Sequence, residues 1–191
     1  GSAVSQEQIE DILKSFPNIP VLVDEAYYEF SGETCVSFLS SYPNLIVSRT
    51  FSKARGMPSL RLGYVIARPD FIKHLQKIRG PYDVHMVAIF AAREQLKHPE
   101  HWQGVVNHLL EESKPELEKF FDEHGVKYYS NKTNFLLVEP QDPVATCEFL
   151  KENKILVRQM RPPISHTFRM SLRMMPDMQR FMEVYRRFLN T

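Results

Sequence analysis

The segments VLVDE at residues 21–25 and LIVSRT at residues 45–50 decide the fold. Each begins with a short unbroken apolar run, which is typical of a parallel strand covered on both faces, and each ends in polar side chains. Residues 62–67 predict a third strand of similar character. Ahead of them, residues 5–16 place apolar side chains at helical spacing behind a capping box. This alternation of helix and strand predicts an α/β unit.

The second half of the chain has a different pattern. Two helices are predicted at 70–79 and 85–97, and a charged helical stretch runs over 99–124, where Pro115 implies a kink or a restart. The remaining elements are short strands at 125–129, 134–138, 155–158 and 168–172, with helices at 143–152 and 176–189. We therefore expect a large-domain portion at 1–100, whose sheet is mainly parallel, and a small α+β domain at 101–191.

Composition narrows the classes of function. Hydrophobic residues make up 43% of the 191 residues and the formal net charge is +1, so a packed core is expected and a nucleic-acid partner is not. The longest fully apolar run, Met86 to Ala92, is far shorter than the roughly 20 residues that cross a bilayer, so no membrane partner is expected either. Two cysteines are too few for a disulfide framework, which favours a cytoplasmic location. No metal site is predicted.

Polar residues cluster where the predicted strands end. Asp24 and Tyr27 follow the first strand, Thr50 and Lys53 follow the second, and Arg61 precedes the third. In open α/β sheets, ligands bind outside the carboxyl ends of the strands. Each pattern alone is weak, but together they predict a ligand site at this edge of the sheet.

In this order and spacing, the residues resemble fold-type I pyridoxal-phosphate enzymes, and most closely the histidinol-phosphate aminotransferase family. The resemblance covers nearly the whole chain in the family's order. It is carried by VDEAYYEF (23–30), SRTFSKARGMPSLRLGYVIA (48–67), KIRGPYDV (77–84), TNFLLVEP (133–140), KILVRQ (154–159) and FRMSL (168–172).

The resemblance implies that pyridoxal 5'-phosphate is the cofactor and that Lys53 is catalytic. Lys53 would form the Schiff base and then move the substrate's α-proton, because a lysine amine can serve as nucleophile and as base. A buried Asp24 would pair with the pyridine nitrogen, and Tyr27 would donate to the ring's phenolic oxygen, with a purely packed aromatic as the alternative. The phosphate would be held by Thr50, Ser52 and Arg61.

Two further arginines lie close to these residues in the sequence. Arg49 and Arg55 are expected to face solvent or to pair with acids, and a supporting contact to the cofactor is the alternative.

The same resemblance assigns substrate recognition to the small domain. Arg169 would bind the substrate's α-carboxylate through a bidentate contact, with a structural ion pair as the alternative. Asn134 matches a family asparagine close to that carboxylate, and a capping role is the alternative. Arg158 would contact the distal end of the substrate, where a phosphate would sit.

The function implied is amino transfer between histidinol phosphate, or a related amino acid, and 2-oxoglutarate or glutamate, in amino-acid biosynthesis. The resemblance also implies a homodimer for the full-length protein. Family members are about twice as long as this chain, so we expect a truncated chain that is inactive alone. Two alternatives remain open: a threonine-phosphate decarboxylase, and a non-catalytic scaffold fragment. Arg173 and Asp83 depart from the family pattern and leave the exact substrate open.

Overall fold

The computed structural model describes residues 3–190 and divides the chain into two compact units, one ending at Gln103 and the other beginning at Gly104. The first unit contains α1 (Gln6–Ser15), β1 (Val21–Asp24), α2 (Tyr28–Ser31), β2 (Leu45–Thr50), β3 (Gly63–Ala67), α3 (Pro69–Ile78) and α4 (Met86–Lys97), with short 3-10 turns at Val36–Ser40 and Pro58–Leu60. Helix α5 (Glu100–His108) contains the point of division.

The sheet of the first unit has the strand order β1-β2-β3. Strands β1 and β2 are parallel, whereas β3 runs antiparallel to β2. The carboxyl ends of β1 and β2 therefore meet the amino end of β3 at one edge. Strand β1 is less buried than its apolar sequence indicates, because it is an edge strand of the sheet. Its side chains alternate in burial, and Leu22 is 61% exposed.

Helix α1 is fixed at both ends. At its start, Ser5 and Gln8 form the expected capping box, in which each side chain accepts from the other residue's main-chain N–H. At its end, the amide of the buried Asn44 donates to three main-chain carbonyls within and after the helix, those of Leu13, Phe16 and Ile19. The buried face of α1 packs on β2 through Ile9, Leu13, Leu45 and Val47. These contacts hold the strand that leads into the candidate site.

The second unit contains α6 (Lys114–Glu123), β4 (Lys127–Tyr129), β5 (Phe135–Glu139), α7 (Pro143–Glu152), β6 (Arg158–Gln159), β7 (Phe168–Ser171) and α8 (Met175–Leu189). Its sheet is antiparallel throughout, in the order β4-β5-β7-β6. The core is rich in fully buried aromatic side chains, among them Phe121, Phe168, Phe181 and Tyr185. Within residues 3–190, no helix combines the length and apolar character that crossing a bilayer requires.

Two elements of this half differ from the sequence-based expectation. The strand predicted at 155–158 shrinks to β6, because Lys154 has a left-handed backbone (φ 63°) and the N–H of Ile155 turns back to the carbonyl of Leu150. The long helical stretch changes its hydrogen-bond pattern at a π turn over Leu109–Ser113, which is continuous with α5 and with α6. Pro115 lies in the first turn of α6 and has no N–H to donate, which accounts for the π turn just before it. Ser113 and Lys114 keep right-handed helical backbone angles, so the helix does not restart there.

Candidate functional site

The carboxyl ends of β1 and β2 lie side by side. Asp24 pairs in register with Ser48, whose hydroxyl donates to Asp24 Oδ1 at 3.3 Å. The main-chain N–H of Ala26 donates to the same oxygen at 3.1 Å. The expectation that Asp24 is buried is wrong: its side chain is exposed, because it shares the uncovered face of β1 with Leu22.

Lys53 lies on the loop that leaves β2. The Thr50 hydroxyl starts this loop, accepting from the main-chain N–H of Ser52 at 3.1 Å and donating to the carbonyl of Leu62 at 3.3 Å. The Lys53 side chain is exposed, and its Nζ lies 5.3 Å from the centroid of the Tyr27 ring. The structure thus brings together residues that follow two different strands.

Arg61 approaches the same edge from β3. It has a left-handed backbone (φ 50°), it is exposed, and it donates to the carbonyl of Pro58 at 2.9 Å. Two residues later, Gly63 pairs with Thr50. A Cβ atom at Gly63 would lie 2.8 Å from the carbonyl oxygen of Arg49, so glycine is required for β3 to approach β2 this closely.

A buried ion pair lies beside this edge. The Glu25 carboxylate, 7% exposed, accepts from Arg49 Nε at 3.0 Å and from the main-chain N–H of Cys35 at 2.6 Å. The Arg49 guanidinium also stacks on the Tyr28 ring, 3.6 Å from its centroid. Burial lowers the pKa of Arg49, but hydrogen bonds to Tyr64 and Glu25 outweigh that effect and leave this pKa above its ordinary value. Arg49 therefore pairs with an acid, the first of the two roles considered for it.

A second buried pair joins Arg55 to Glu29. Arg55 Nε lies 3.1 Å from Glu29 Oε1, and the two side chains are 10% and 2% exposed. The Arg55 guanidinium also lies over two rings, 4.8 Å from the centroid of Trp102 and 5.2 Å from that of Phe51. The sequence identified neither Glu25 as the partner of Arg49 nor Glu29 as the partner of Arg55. No spacing rule relates residues that lie more than twenty positions apart on different elements.

In the second unit, Arg158 and Arg169 lie directly opposite each other on β6 and β7. The Arg169 guanidinium also lies 5.2 Å from the centroid of the Phe135 ring. Both arginines line a cavity of about 550 Å³, whose other charged lining residues are Lys154, Arg173, Asp177 and Arg180. Five basic groups against one acidic group give this cavity a positive character suited to an anion.

The structure also locates Asn134 and the two residues that depart from the family pattern, Arg173 and Asp83. Asn134 precedes β5 and accepts, through its main-chain oxygen, from the N–H of Leu172 at 2.8 Å. Arg173 pairs with Asp177 at 3.0 Å on the surface. Asp83 accepts from Arg79 at 2.6 Å, and this hydrogen bond lowers the pKa of the Asp83 carboxyl.

One cluster of potential metal ligands lies at the start of α5, among the residues that the structure describes. Donor atoms of His98, Glu100 and His101 come within 4.8 Å of one another, and all three side chains are exposed. Glu100 Oε1 lies 3.0 Å from His98 Nδ1, which accounts for this arrangement as a surface hydrogen bond.

The side chains at the edge of the first unit fit the predicted cofactor by their chemistry. The exposed Lys53 amine is available for covalent attachment, and the Asp24 carboxylate can face a pyridine nitrogen. Two hydroxyls and a guanidinium, those of Thr50, Ser52 and Arg61, are suited to a phosphate dianion.

Comparisons with known proteins point in the same direction. The family model described as "Aminotransferase class I and II" matches residues 1–184. A histidinol-phosphate aminotransferase from Thermoanaerobacter sp. (strain X514) is 38% identical over 158 residues, which cover 83% of this chain and 44% of the relative. The chain spans about half the length of the curated relatives it matches.

Two solved structures share the fold. A histidinol-phosphate aminotransferase from Sinorhizobium meliloti, in complex with pyridoxal-5'-phosphate, has a TM-score of 0.79 at 22% identity, and the match covers 94% of this chain and 53% of that one. An L-threonine-O-3-phosphate decarboxylase from Porphyromonas gingivalis has a TM-score of 0.83 at 23% identity, covering 98% and 60%. These likenesses confirm the predicted architecture.

Proposed function

This chain belongs to the class I and class II aminotransferases, and we propose that it supplies the catalytic lysine and the substrate-binding arginines of such an enzyme. The reaction moves an amino group between histidinol phosphate, or a related amino compound, and 2-oxoglutarate or glutamate. The observation that carries the proposal is the meeting of Lys53 with Tyr27, 5.3 Å apart, at the edge where β1 and β2 end. The named relatives support the choice of histidinol phosphate.

The residues of the first unit have distinct roles in this proposal. Pyridoxal phosphate, when bound, supplies an electron sink for the carbanion at the substrate's α-carbon. Asp24 holds the ring nitrogen through its carboxylate, and Tyr27 orients the ring through its hydroxyl. The Lys53 amine would hold the cofactor and would move the α-proton. The phosphate is bound by Thr50, Ser52 and Arg61.

The second unit recognises the anionic groups of the substrates. Like charges directly opposite each other destabilise a strand pair, so an anion near Arg158 and Arg169 relieves their repulsion. We assign the α-carboxylate of glutamate and 2-oxoglutarate to Arg169, with Asn134 nearby, and the phosphate at the distal end of the other substrate to Arg158. Each charge-assisted contact of this kind contributes about 1.5–3 kcal/mol.

The proposal extends to the setting of the enzyme. A cytoplasmic location is consistent with the two free cysteines. The homodimer and the role in amino-acid biosynthesis follow from the family to which the chain belongs. Because relatives are about twice as long, we expect turnover only from the full-length protein, since catalysis by positioning fails when part of the binding site is missing.

The test of this proposal traps the cofactor on the protein. Full-length protein is mixed with pyridoxal phosphate, reduced with borohydride and mapped by peptide mass spectrometry. We expect Lys53 to be modified much faster than any other lysine, and this fast modification to be absent in Lys53→Ala. The matched control is Lys73→Ala, which removes an exposed lysine from α3 and should leave trapping unchanged. Trapping of equal extent on another lysine in Lys53→Ala would contradict the assignment.

A second measurement separates the candidate reactions. Glutamate formed from histidinol phosphate and 2-oxoglutarate identifies the aminotransferase, whereas carbon dioxide released from threonine phosphate identifies the decarboxylase. If the protein with added cofactor shows neither product and no new visible absorbance, the scaffold alternative holds.

A further inference from the structure

The Lys53 side chain contributes little to holding its own loop in place. The loop between β2 and the turn at Pro58–Leu60 has no regular structure, and the Lys53 side chain is exposed. Two main-chain hydrogen bonds shape it: the N–H of Gly56 donates to the carbonyl of Lys53, and that of Met57 to the carbonyl of Phe51, both at 3.0 Å. These bonds close the loop on itself and do not join it to α2. Another contact must fix where the lysine lies relative to Tyr27.

Arg55 provides that contact. Its guanidinium reaches from the loop to Glu29 in α2, with Nε 3.1 Å from Oε1, and both side chains are almost fully removed from solvent. The residues two positions earlier in each segment are Lys53 and Tyr27, which meet at the surface. The buried pair therefore joins the same two segments that carry Lys53 and Tyr27.

The surroundings of Arg55 require arginine rather than lysine. Phe51 lies on the same loop and Trp102 on α5, and the guanidinium lies over both rings. A planar guanidinium can stack on aromatic faces while its fork binds a carboxylate, whereas a lysine ammonium offers only a point charge. Separating Arg55 from Glu29 would leave each as an uncompensated buried charge, which is strongly destabilising. The two side chains therefore stay paired.

We propose that Arg55 is a positioning residue for Lys53, acting through Glu29 to fix the lysine-bearing loop against the segment that carries Tyr27. This inference rests on the proposed role of Lys53. It predicts that loss of Arg55 allows the loop to move and slows covalent attachment of the cofactor at Lys53, with other lysines unaffected. A displacement of about 1 Å can cost about a hundredfold in a reaction that depends on positioning.

The experiment measures the rate of pyridoxal phosphate attachment at Lys53 relative to that at Lys73 in the same sample, by borohydride trapping and mass spectrometry. The variants are Arg55→Lys, and Arg55→Met combined with Glu29→Gln, which removes both buried charges together. The control is Arg79→Met, which breaks the exposed pair with Asp83. We expect the Lys53 to Lys73 ratio to fall at least about tenfold in both Arg55 variants and to stay unchanged in the control.

The outcomes separate this inference from the function on which it rests. If Lys53 of the unaltered protein reacts no faster than Lys73, the proposed function fails. If Lys53 reacts preferentially in the unaltered protein and equally so in a folded Arg55 variant, the positioning role is overturned. Should the double variant fail to fold by circular dichroism, Arg55→Lys, which keeps the charge but loses the planar fork, decides the question.

Discussion

Replacing Tyr185 with phenylalanine should make the protein more stable, and increasingly so at high pH. Tyr185 is fully buried in the aromatic core of the second unit, and its ring stacks on Phe181 at 5.4 Å between centroids. Its hydroxyl has no hydrogen-bond partner among the residues that the structure describes. A buried unsatisfied polar group costs about 1–3 kcal/mol, so we expect Tyr185→Phe to raise the free energy of unfolding by about 1 kcal/mol near neutral pH.

The pH dependence follows from the ionisation of this hydroxyl. Burial, and to a smaller extent the charge of Cys147, raises the pKa of Tyr185 to about 12, from an ordinary value of 10.0. Above pH 10 the unfolded chain releases this proton while the folded chain retains it, so stability is lost as pH rises from about 10 to about 12. At about pH 11, midway between the two pKa values, the equilibrium constant for folding is lowered about tenfold, which is a loss of about 1.4 kcal/mol in the free energy of unfolding.

The assay is urea unfolding followed by far-ultraviolet circular dichroism, at about pH 8 and about pH 11. The difference in free energy of unfolding between Tyr185→Phe and the unaltered protein should widen by about 1.4 kcal/mol between the two conditions. Tyr82→Phe, which alters a tyrosine that is 94% exposed, serves as the control and should show no such widening. Equal differences at both pH values for Tyr185→Phe would refute the reasoning.

Two further predictions concern Asn44, which binds the end of α1, and the two substrate arginines. Asn44→Ala removes three hydrogen bonds from a buried amide and should lower the free energy of unfolding by about 1–3 kcal/mol, measured by urea unfolding, and a loss near zero would contradict the capping role. In the full-length protein, Arg169→Ala should raise KM for every carboxylate substrate, whereas Arg158→Ala should penalise phosphorylated donors most, by roughly ten to a hundredfold in affinity. Kinetics with one phosphorylated and one unphosphorylated donor decide this, and equal effects of Arg158→Ala on both would remove its distal role.

Local features of the fold could be predicted from the sequence. The capping box at Ser5 and the helix irregularity next to Pro115 depend on residues within one helical turn, and the structure contains both. The apolar runs of β1 and β2, each followed by polar side chains, likewise predicted the edge at which Asp24, Thr50 and Lys53 gather. The cap and the helix irregularity can be predicted because their contacts span only a few positions, and the strand ends because each polar residue directly follows its own apolar run.

The sequence by itself therefore determined the order of the elements, the family resemblance and the edge of the sheet that carries the polar residues. Only the tertiary structure decided the antiparallel direction of β3, the exposure of Asp24, and the partners of Arg49 and Arg55. Each of these depends on which elements become neighbours in space. Glu25 and Arg49 are 24 positions apart and meet because β1 pairs with β2, and Asp24 is exposed because β1 lies at the side of its sheet. No local pattern encodes such neighbours, since they are fixed only when distant segments pack.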